Sequence, residues 1–241
     1  MLSLVAALAL THVAEPLTAE RTWLLAVSCL DFKNQGFSGL PDAGRTDSDL
    51  IRAFEQRGLA KNHFVWLQGK RTETQRIDYE FREMLGHAKK DDVLFVYYTG
   101  HGYRDKNGLT LATWNAEVGS PGWRMSRAFG EIKKSFRGKA IVFLADCCAS
   151  GKLVEYAKSS TKPVAVITSA ASDEAVPEGW TFTTSLIDVV KGDPALDTDH
   201  NGTIDWAEAA STVQASILKA YGHSGAVYLP PGLEISWPTS H

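Results

Sequence analysis

Val93-Leu94-Phe95-Val96-Tyr97-Tyr98 is an unbroken apolar run that ends in Thr99-Gly100-His101-Gly102, and Ile141-Val142-Phe143-Leu144-Ala145 is a second that ends in Asp146-Cys147-Cys148-Ala149-Ser150-Gly151. Neither run alternates apolar with polar residues, as a strand with one wet face would. Both are rich in β-branched and aromatic side chains, so they read as strands covered on both faces, the situation inside a parallel sheet. Four further segments have strand character: 22–29, 63–67, 164–168 and 226–229. Helical patterns lie between them, at about 46–58, 73–90, 126–136, 183–190 and 205–221. In the first of these Leu50, Ile51, Phe54 and Leu59 form an apolar stripe and Gly58 marks the stop. Alternation of strands and helices, with no repeat, long linker or break in composition, predicts one α/β domain over 21–241 with helices on both faces of the sheet.

The 241 residues are 44% apolar and 22% charged, enough to bury a proper core. Twenty-five Lys and Arg against 28 Asp and Glu give a net charge of −3, so there is no basic excess to neutralise a phosphate backbone and no nucleic-acid partner is expected. No glycine-rich phosphate loop follows the first strand, which argues against nucleotide binding. Three cysteines do not make a disulfide framework, and the adjacent Cys147 and Cys148 would bridge each other only with strain, so cysteine here means reactivity or packing. Nine of the first ten residues are apolar, a run too short to span a bilayer. Residues 1–20 therefore read either as a secretory signal, with Ala14 or Ala19 before the cleavage point, or as a core-packed first helix. The first reading implies export to the periplasm or medium, the second a cytoplasmic protein.

Ligand sites of open parallel sheets lie beyond the carboxyl ends of the strands. If 93–99 and 140–146 are neighbours, His101 and a cysteine reach one crevice from adjacent strand ends. That is the requirement for a thiol nucleophile and its proton-transfer partner. Gly100 and Gly102 let the chain turn sharply and let a substrate carbonyl approach the Gly102 N–H, which together with the N–H of the cysteine would hold an oxyanion.

Thr99-Gly100-His101-Gly102 resembles the histidine motif [S/T]-G-H-G of caspase-like cysteine peptidases, and Asp146-Cys147-Cys148-Ala149-Ser150-Gly151 resembles the D-x-C-H-S-G nucleophile motif of metacaspases and their bacterial relatives. Residues 40–50 and Gly179-Trp180-Thr181-Phe182-Thr183 are similar to further segments of the family. The resemblance implies a caspase-like three-layer α/β/α sandwich around a mainly parallel six-stranded sheet. It implies a protein or peptide substrate, and it selects Cys148 as nucleophile with His101 as the proton-handling group, with no cofactor in the chemical step. Ala149 departs from the pattern, which has His there. The resemblance also gathers Asp146, Asp47 and Thr99 at the wall of the substrate pocket. An acidic pocket favours Arg or Lys before the scissile bond, through charge-assisted hydrogen bonds. Asp146 and Asp47 each have a rival role as caps of the helices that follow them. Two other readings stand beside this one: a catalytically silent homologue that only binds a partner, and a peptidase or transpeptidase of the same fold acting after Asn or Asp. Lys152 and Lys158 are basic residues expected in loops, where self-cleavage would fall.

A second motif is independent of the first. Residues 197–208, Asp-Thr-Asp-His-Asn-Gly-Thr-Ile-Asp-Trp-Ala-Glu, fit the calcium-loop pattern D-x-[DN]-x-[DN]-G-x₅-E at every specified position. The oxygen ligands would be Asp197, Asp199, Asn201, the Thr203 carbonyl, Asp205 (often through water) and Glu208. Lys191-Gly192-Asp193-Pro194 interrupts the helix that would enter the loop, and there is no second loop to pair with it. A single EF-hand-like Ca²⁺ site of modest affinity is expected, structural or regulatory in role.

Overall fold

The computed structural model describes residues 16–34, 36–40, 44–117, 122–171, 175–176 and 179–240. In chain order the elements are β1 (Thr22–Ser28), α1 (Asp47–Gln56), β2 (Phe64–Gln68), α2 (Thr74–His87), β3 (Val93–Thr99), β4 (Gly102–Asp105), β5 (Gly108–Leu111), β6 (Trp123–Arg124), α3 (Met125–Ser135), β7 (Ala140–Asp146), α4 (Leu153–Ser159), β8 (Val164–Thr168), α5 (Thr181–Lys191), β9 (Thr203–Asp205), α6 (Trp206–Tyr221), β10 (Val227–Tyr228) and β11 (Ser236–Pro238).

Six strands form the main sheet in the order β10-β8-β7-β3-β1-β2. All pairings are parallel except that of the short edge strand β10, which runs antiparallel to β8. Every residue of β1, β3 and β7 is buried, as their uninterrupted apolar sequences require of strands with a layer on each side. The two-residue period of a strand divides them between two cores. Trp23, Leu25 and Val27 join Ile77 and Phe81 of α2, Ala128 and Ile132 of α3, and Leu153 of α4. Leu24 and Ala26 join Leu50 and Phe54 of α1, Phe182 and Leu186 of α5, and Val213 and Ile217 of α6. The result is the expected α/β/α sandwich. Each fully buried Leu, Val or Phe in its two apolar layers contributes on the order of 1.5–3 kcal/mol.

Several features depart from the sequence reading. Residues 153–159, outside the helical patterns read from the sequence, form α4, so Lys158, expected in a loop, lies in a helix with its ammonium over the Tyr228 ring. Lys152 sits in the 3₁₀ turn before α4 and pairs with Glu155; neither lysine is in an open loop. Strands β4–β6 form a separate antiparallel sheet, and β9 pairs with β11. The signal-or-helix reading of residues 1–20 falls mostly on 1–15, outside the described residues. Leu17 is buried in the second core and its N–H donates to the Ser236 carbonyl, so residues just before 21 pack with the domain. Among the described residues no helix is long and apolar enough to cross a membrane.

Candidate active site

Strands β3 and β7 are direct neighbours, in a register that sets Thr99 opposite Asp146. Their carboxyl ends therefore deliver Gly100-His101-Gly102 and Cys147-Cys148 to the same edge of the sheet. A cavity of about 190 Å³ opens there, and Thr99, His101, Asp146, Cys148, Val176 and Trp180 are among the residues that line it.

The backbone around the pair is tightly constrained. A Cβ on Gly100, at φ +154°, would meet the Tyr98 hydroxyl and the Cys29 carbonyl at 2.6 and 2.7 Å. A Cβ on Gly102 would lie 2.2 Å from the Cys148 carbonyl oxygen and 2.8 Å from Cys147 Sγ. Only glycine lets the histidine turn press against the cysteine turn this closely. Ala149 follows Cys148 with φ +57°, a left-handed conformation that costs a non-glycine residue on the order of 1–2 kcal/mol.

His101 is held by groups that the sequence does not advertise. Its Nε2 lies 2.8 Å from the Ser38 carbonyl oxygen. A carbonyl only accepts, so Nε2 carries the proton and, in the neutral ring, Nδ1 is the free base. Phe32 stacks on the imidazole at 5.2 Å. The buried Tyr98 hydroxyl sits between the carbonyls of His101 and Ala112, at 2.8 and 2.7 Å, and fixes the main chain of the histidine.

The two adjacent cysteines differ sharply. Cys148 is part-exposed and its Sγ accepts from the Val176 N–H at 3.3 Å. Cys147 is buried in the first core; burial pushes its thiol well above the ordinary range, and the nearby Asp146 and Cys148 push it further. Burial likewise raises the Cys29 thiol, to about 12.

Asp146 ends β7 as a buried carboxylate. The Thr183 hydroxyl, in the first turn of α5, donates to it at 3.0 Å. That uses the one Thr183 proton, so the buried Tyr97 hydroxyl, 2.8 Å from Thr183 Oγ1, donates in its turn. Burial pushes the Asp146 carboxyl up to about 6, against the opposing pull of the Ser169 and Thr183 hydroxyls beside it. Burial also pushes the Tyr97 phenol well up, and the carboxylates of Asp146 and Asp47 add to it.

Asp47 is close to this network without lining the cavity. It is fully buried, and the Arg45 guanidinium grips both its oxygens, Nε to Oδ1 at 2.8 Å and Nη2 to Oδ2 at 2.7 Å. The pocket expected from the sequence is thus split: Asp146 and Thr99 face the cavity, while Asp47 already holds an arginine of its own chain.

The caspase-domain family model matches residues 34–222, a span that contains both strand ends and α5. The chain belongs to the caspase domain family. The crystal structure of protein GSU0716 from Geobacter sulfurreducens has the same fold: the caspase domain superposes on it with a TM-score of 0.60 at 12% identity, over 92% of this chain and 95% of that one. None of the curated proteins matches the chain.

The calcium-loop motif of this caspase domain lies apart from the cysteine, between α5 and α6. Carboxylate oxygens of Asp197, Asp199 and Glu208 lie within 4.8 Å of one another. Asp197 accepts from the N–H groups of Asn201 and Gly202. Glu208 Oε1 takes the Thr198 N–H and Oε2 takes the Asp205 N–H, so one carboxylate closes both ends of the loop. Partial burial opposes ionisation at both residues, yet these N–H and hydroxyl donors hold Asp197 and Glu208 below the usual carboxylate range. Asp205 is spent on the cap of α6, where it accepts from the N–H groups of Ala207 and Glu208. As expected, α5 stops at Gly192, before the loop, and a 3₁₀ turn at Pro194–Leu196 leads in. The loop strand β9 finds its partner in β11 of the same chain, Ile204 opposite Trp237.

Proposed function

We propose that the chain is a cysteine endopeptidase in which Cys148 attacks the scissile carbonyl and His101 moves the proton. The observation that carries this reading is the single cavity lined by His101, Cys148 and Asp146 at adjacent strand ends. In the first step the Cys148 thiol gives its proton to His101 Nδ1 and its sulfur bonds to the carbonyl carbon. The carbonyl oxygen takes up the negative charge, facing the N–H groups of Gly102 and Cys148. As the carbon–nitrogen bond breaks, His101 passes the Nδ1 proton to the leaving amine, with Nε2–H kept on the Ser38 carbonyl. His101 then takes a proton from the water that attacks the thioester and returns it to the departing sulfur.

Asp146 is the anchor for the residue before the scissile bond (P1), which makes Arg or Lys the preferred class. Because Arg45 neutralises Asp47, the attraction rests on Asp146, hydrogen-bonded by Thr183, with Thr99 beside it. The test is a set of internally quenched peptides with Arg, Lys, Asn or Asp at P1. Cleavage after Arg and Lys is expected. Cleavage after Asn or Asp alone contradicts the specificity, and no cleavage of any peptide returns the silent, partner-binding reading.

The donor set of residues 197–208 fits a Ca²⁺ ion: three gathered carboxylates, Asn201 and the Thr203 carbonyl are hard oxygen ligands, and Gly202 makes the turn at φ +84°. Bound calcium would supply local positive charge and rigidity, not a step of the chemistry. Helix α5 carries Thr183, on Asp146, in its first turn and ends at Gly192. The Gly192 carbonyl receives the N–H of Ser240, and the neighbouring Thr239 N–H binds the Gly202 carbonyl in the loop. These contacts support a regulatory role in which calcium orders 176–205 beside the groove. With a dissociation constant of roughly 10⁻⁴–10⁻³ M, about 10 mM Ca²⁺ should stabilise the fold by about 1.4–2.7 kcal/mol, a rise in Tm of roughly 3–10 °C. A melting curve unmoved by calcium removes the site. Equal peptide cleavage in calcium and in chelator removes the regulatory role.

A further inference from the structure

His101 separates two cavities. The first holds Cys148 and Asp146. The second, of about 480 Å³, is lined by Phe37, Ser38, Gly102, Tyr103 and Glu117 among others, and the residue it shares with the first is His101. We infer that this second cavity is the subsite for the residue after the scissile bond (P1′), and that it selects a bulky apolar or aromatic side chain. The inference rests on the peptidase reading above.

The physical basis is chain continuity. A peptide with its P1 side chain on Asp146 and its carbonyl carbon on Cys148 must pass the leaving nitrogen to the His101 ring, because that ring protonates it. The residue bearing that nitrogen then continues past the histidine, and the second cavity, which shares His101 with the first but not Asp146 or Cys148, adjoins that ring. The Phe37 and Tyr103 rings form part of its wall, beside His101. Phe37 lies 6.4 Å from the Tyr103 ring, 6.4 Å from the His101 ring and 5.4 Å from Phe32, all ring to ring. The Tyr103 hydroxyl is engaged by the Gly122 N–H at 3.4 Å, which anchors the ring from its polar end. A bulky apolar side chain seated in this corner takes several ring faces out of water together with its own surface. Glu117 offers a rival attraction, for a cation. It is exposed, however, and an ion pair to an exposed carboxylate is screened and weak beside that apolar burial.

The test uses the full chain with calcium present and quenched peptides identical except at P1′: Arg at P1, followed by Gly, Leu, Phe, Lys or Asp. The kcat/KM for Phe and Leu should exceed that for Gly by at least about tenfold, the discrimination a few buried methylenes supply. In Phe37→Ala and in Tyr103→Ala the Phe-to-Gly ratio should fall to about two or less; the Gly peptide is the internal reference, so a general loss of rate in either variant cancels. Two variants are made so that one that fails to fold leaves the other. Equal rates across P1′ in the unaltered chain, or a ratio unchanged in the folded variants, overturns the subsite. So does a preference for Lys that disappears in Glu117→Gln, which would make the cavity a cation site. Failure to cleave any of the peptides instead counts against the peptidase reading itself, and the subsite falls with it.

Discussion

Cys148→Ala is expected to lower kcat/KM on an Arg-P1 peptide by roughly 10⁴–10⁶-fold, the scale on which nucleophile deletions act. Cys147→Ala should stay within about fivefold of the unaltered chain, because an inert packing group is being trimmed. The contrast is the informative part, since the two thiols are adjacent in sequence and opposite in environment. Cys148 is part-exposed in the cavity with an N–H donor on its sulfur. Cys147 is buried against Gly102 with its ionisation suppressed by burial. Removing a buried sulfur costs on the order of 1 kcal/mol in packing, so Cys147→Ala should lower Tm slightly while Cys148→Ala leaves it nearly unchanged. Peptide hydrolysis and a melting curve on both variants check this. Equal loss in the two, or loss in Cys147→Ala alone, would reverse the assignment.

Asp146→Asn should separate activity from stability. The variant keeps the shape of the site but loses the charge that a P1 guanidinium would meet, so kcat/KM for Arg should fall roughly 10²–10³-fold, about 3–4 kcal/mol. The fold should gain. With its carboxyl pushed up to about 6, folded Asp146 binds a proton more tightly than the unfolded chain does. Its contribution is most favourable below the ordinary carboxylate range and is lost as the pH rises through about 6. At about pH 8 the ionised, buried group costs about 3 kcal/mol, which Asn does not carry. Asp146→Asn should therefore melt higher than the unaltered chain at about pH 8, and the two should converge as the pH falls below about 4. In the unaltered chain, cleavage after Arg should rise as the pH climbs through about 6 and the carboxylate ionises. Denaturation across pH together with kcat/KM on Arg and Gln P1 peptides reads both effects. A variant less stable at the alkaline end, or one that still prefers Arg, contradicts the account.

Much of the sheet was legible because its strands are buried on both faces and carry apolar side chains at nearly every position; β3, β7 and β8 fall at the expected bounds. The His101 and Cys148 turns were legible because glycine and the strand ends mark them. Helix α4 carries little local signal because it is only seven residues long, under two turns, too short to hold itself, and it is stabilised by packing between α3 and β8. Strands β9 and β11 are three residues each and exist through pairing across distant sequence, which no local pattern encodes. The Ser38 carbonyl is a main-chain group and has no residue-type signature. Thr183 lies within the Gly179–Thr183 motif, yet its bond to Asp146 depends on how α5 docks on the sheet. Arg45 gives no signal at all, and its fork on Asp47 changes how a pocket of three expected residues must be read.

The measurement that tests the central claim most directly is treatment of the full chain with an arginyl chloromethyl ketone at neutral pH, followed by mass mapping of the adduct. One adduct is predicted, on Cys148, with none on Cys147 or Cys29, and its formation should be lost in His101→Ala. An adduct on either buried cysteine, or labelling of Cys148 that proceeds unchanged without the histidine, would contradict a nucleophile paired with His101 above an acidic pocket.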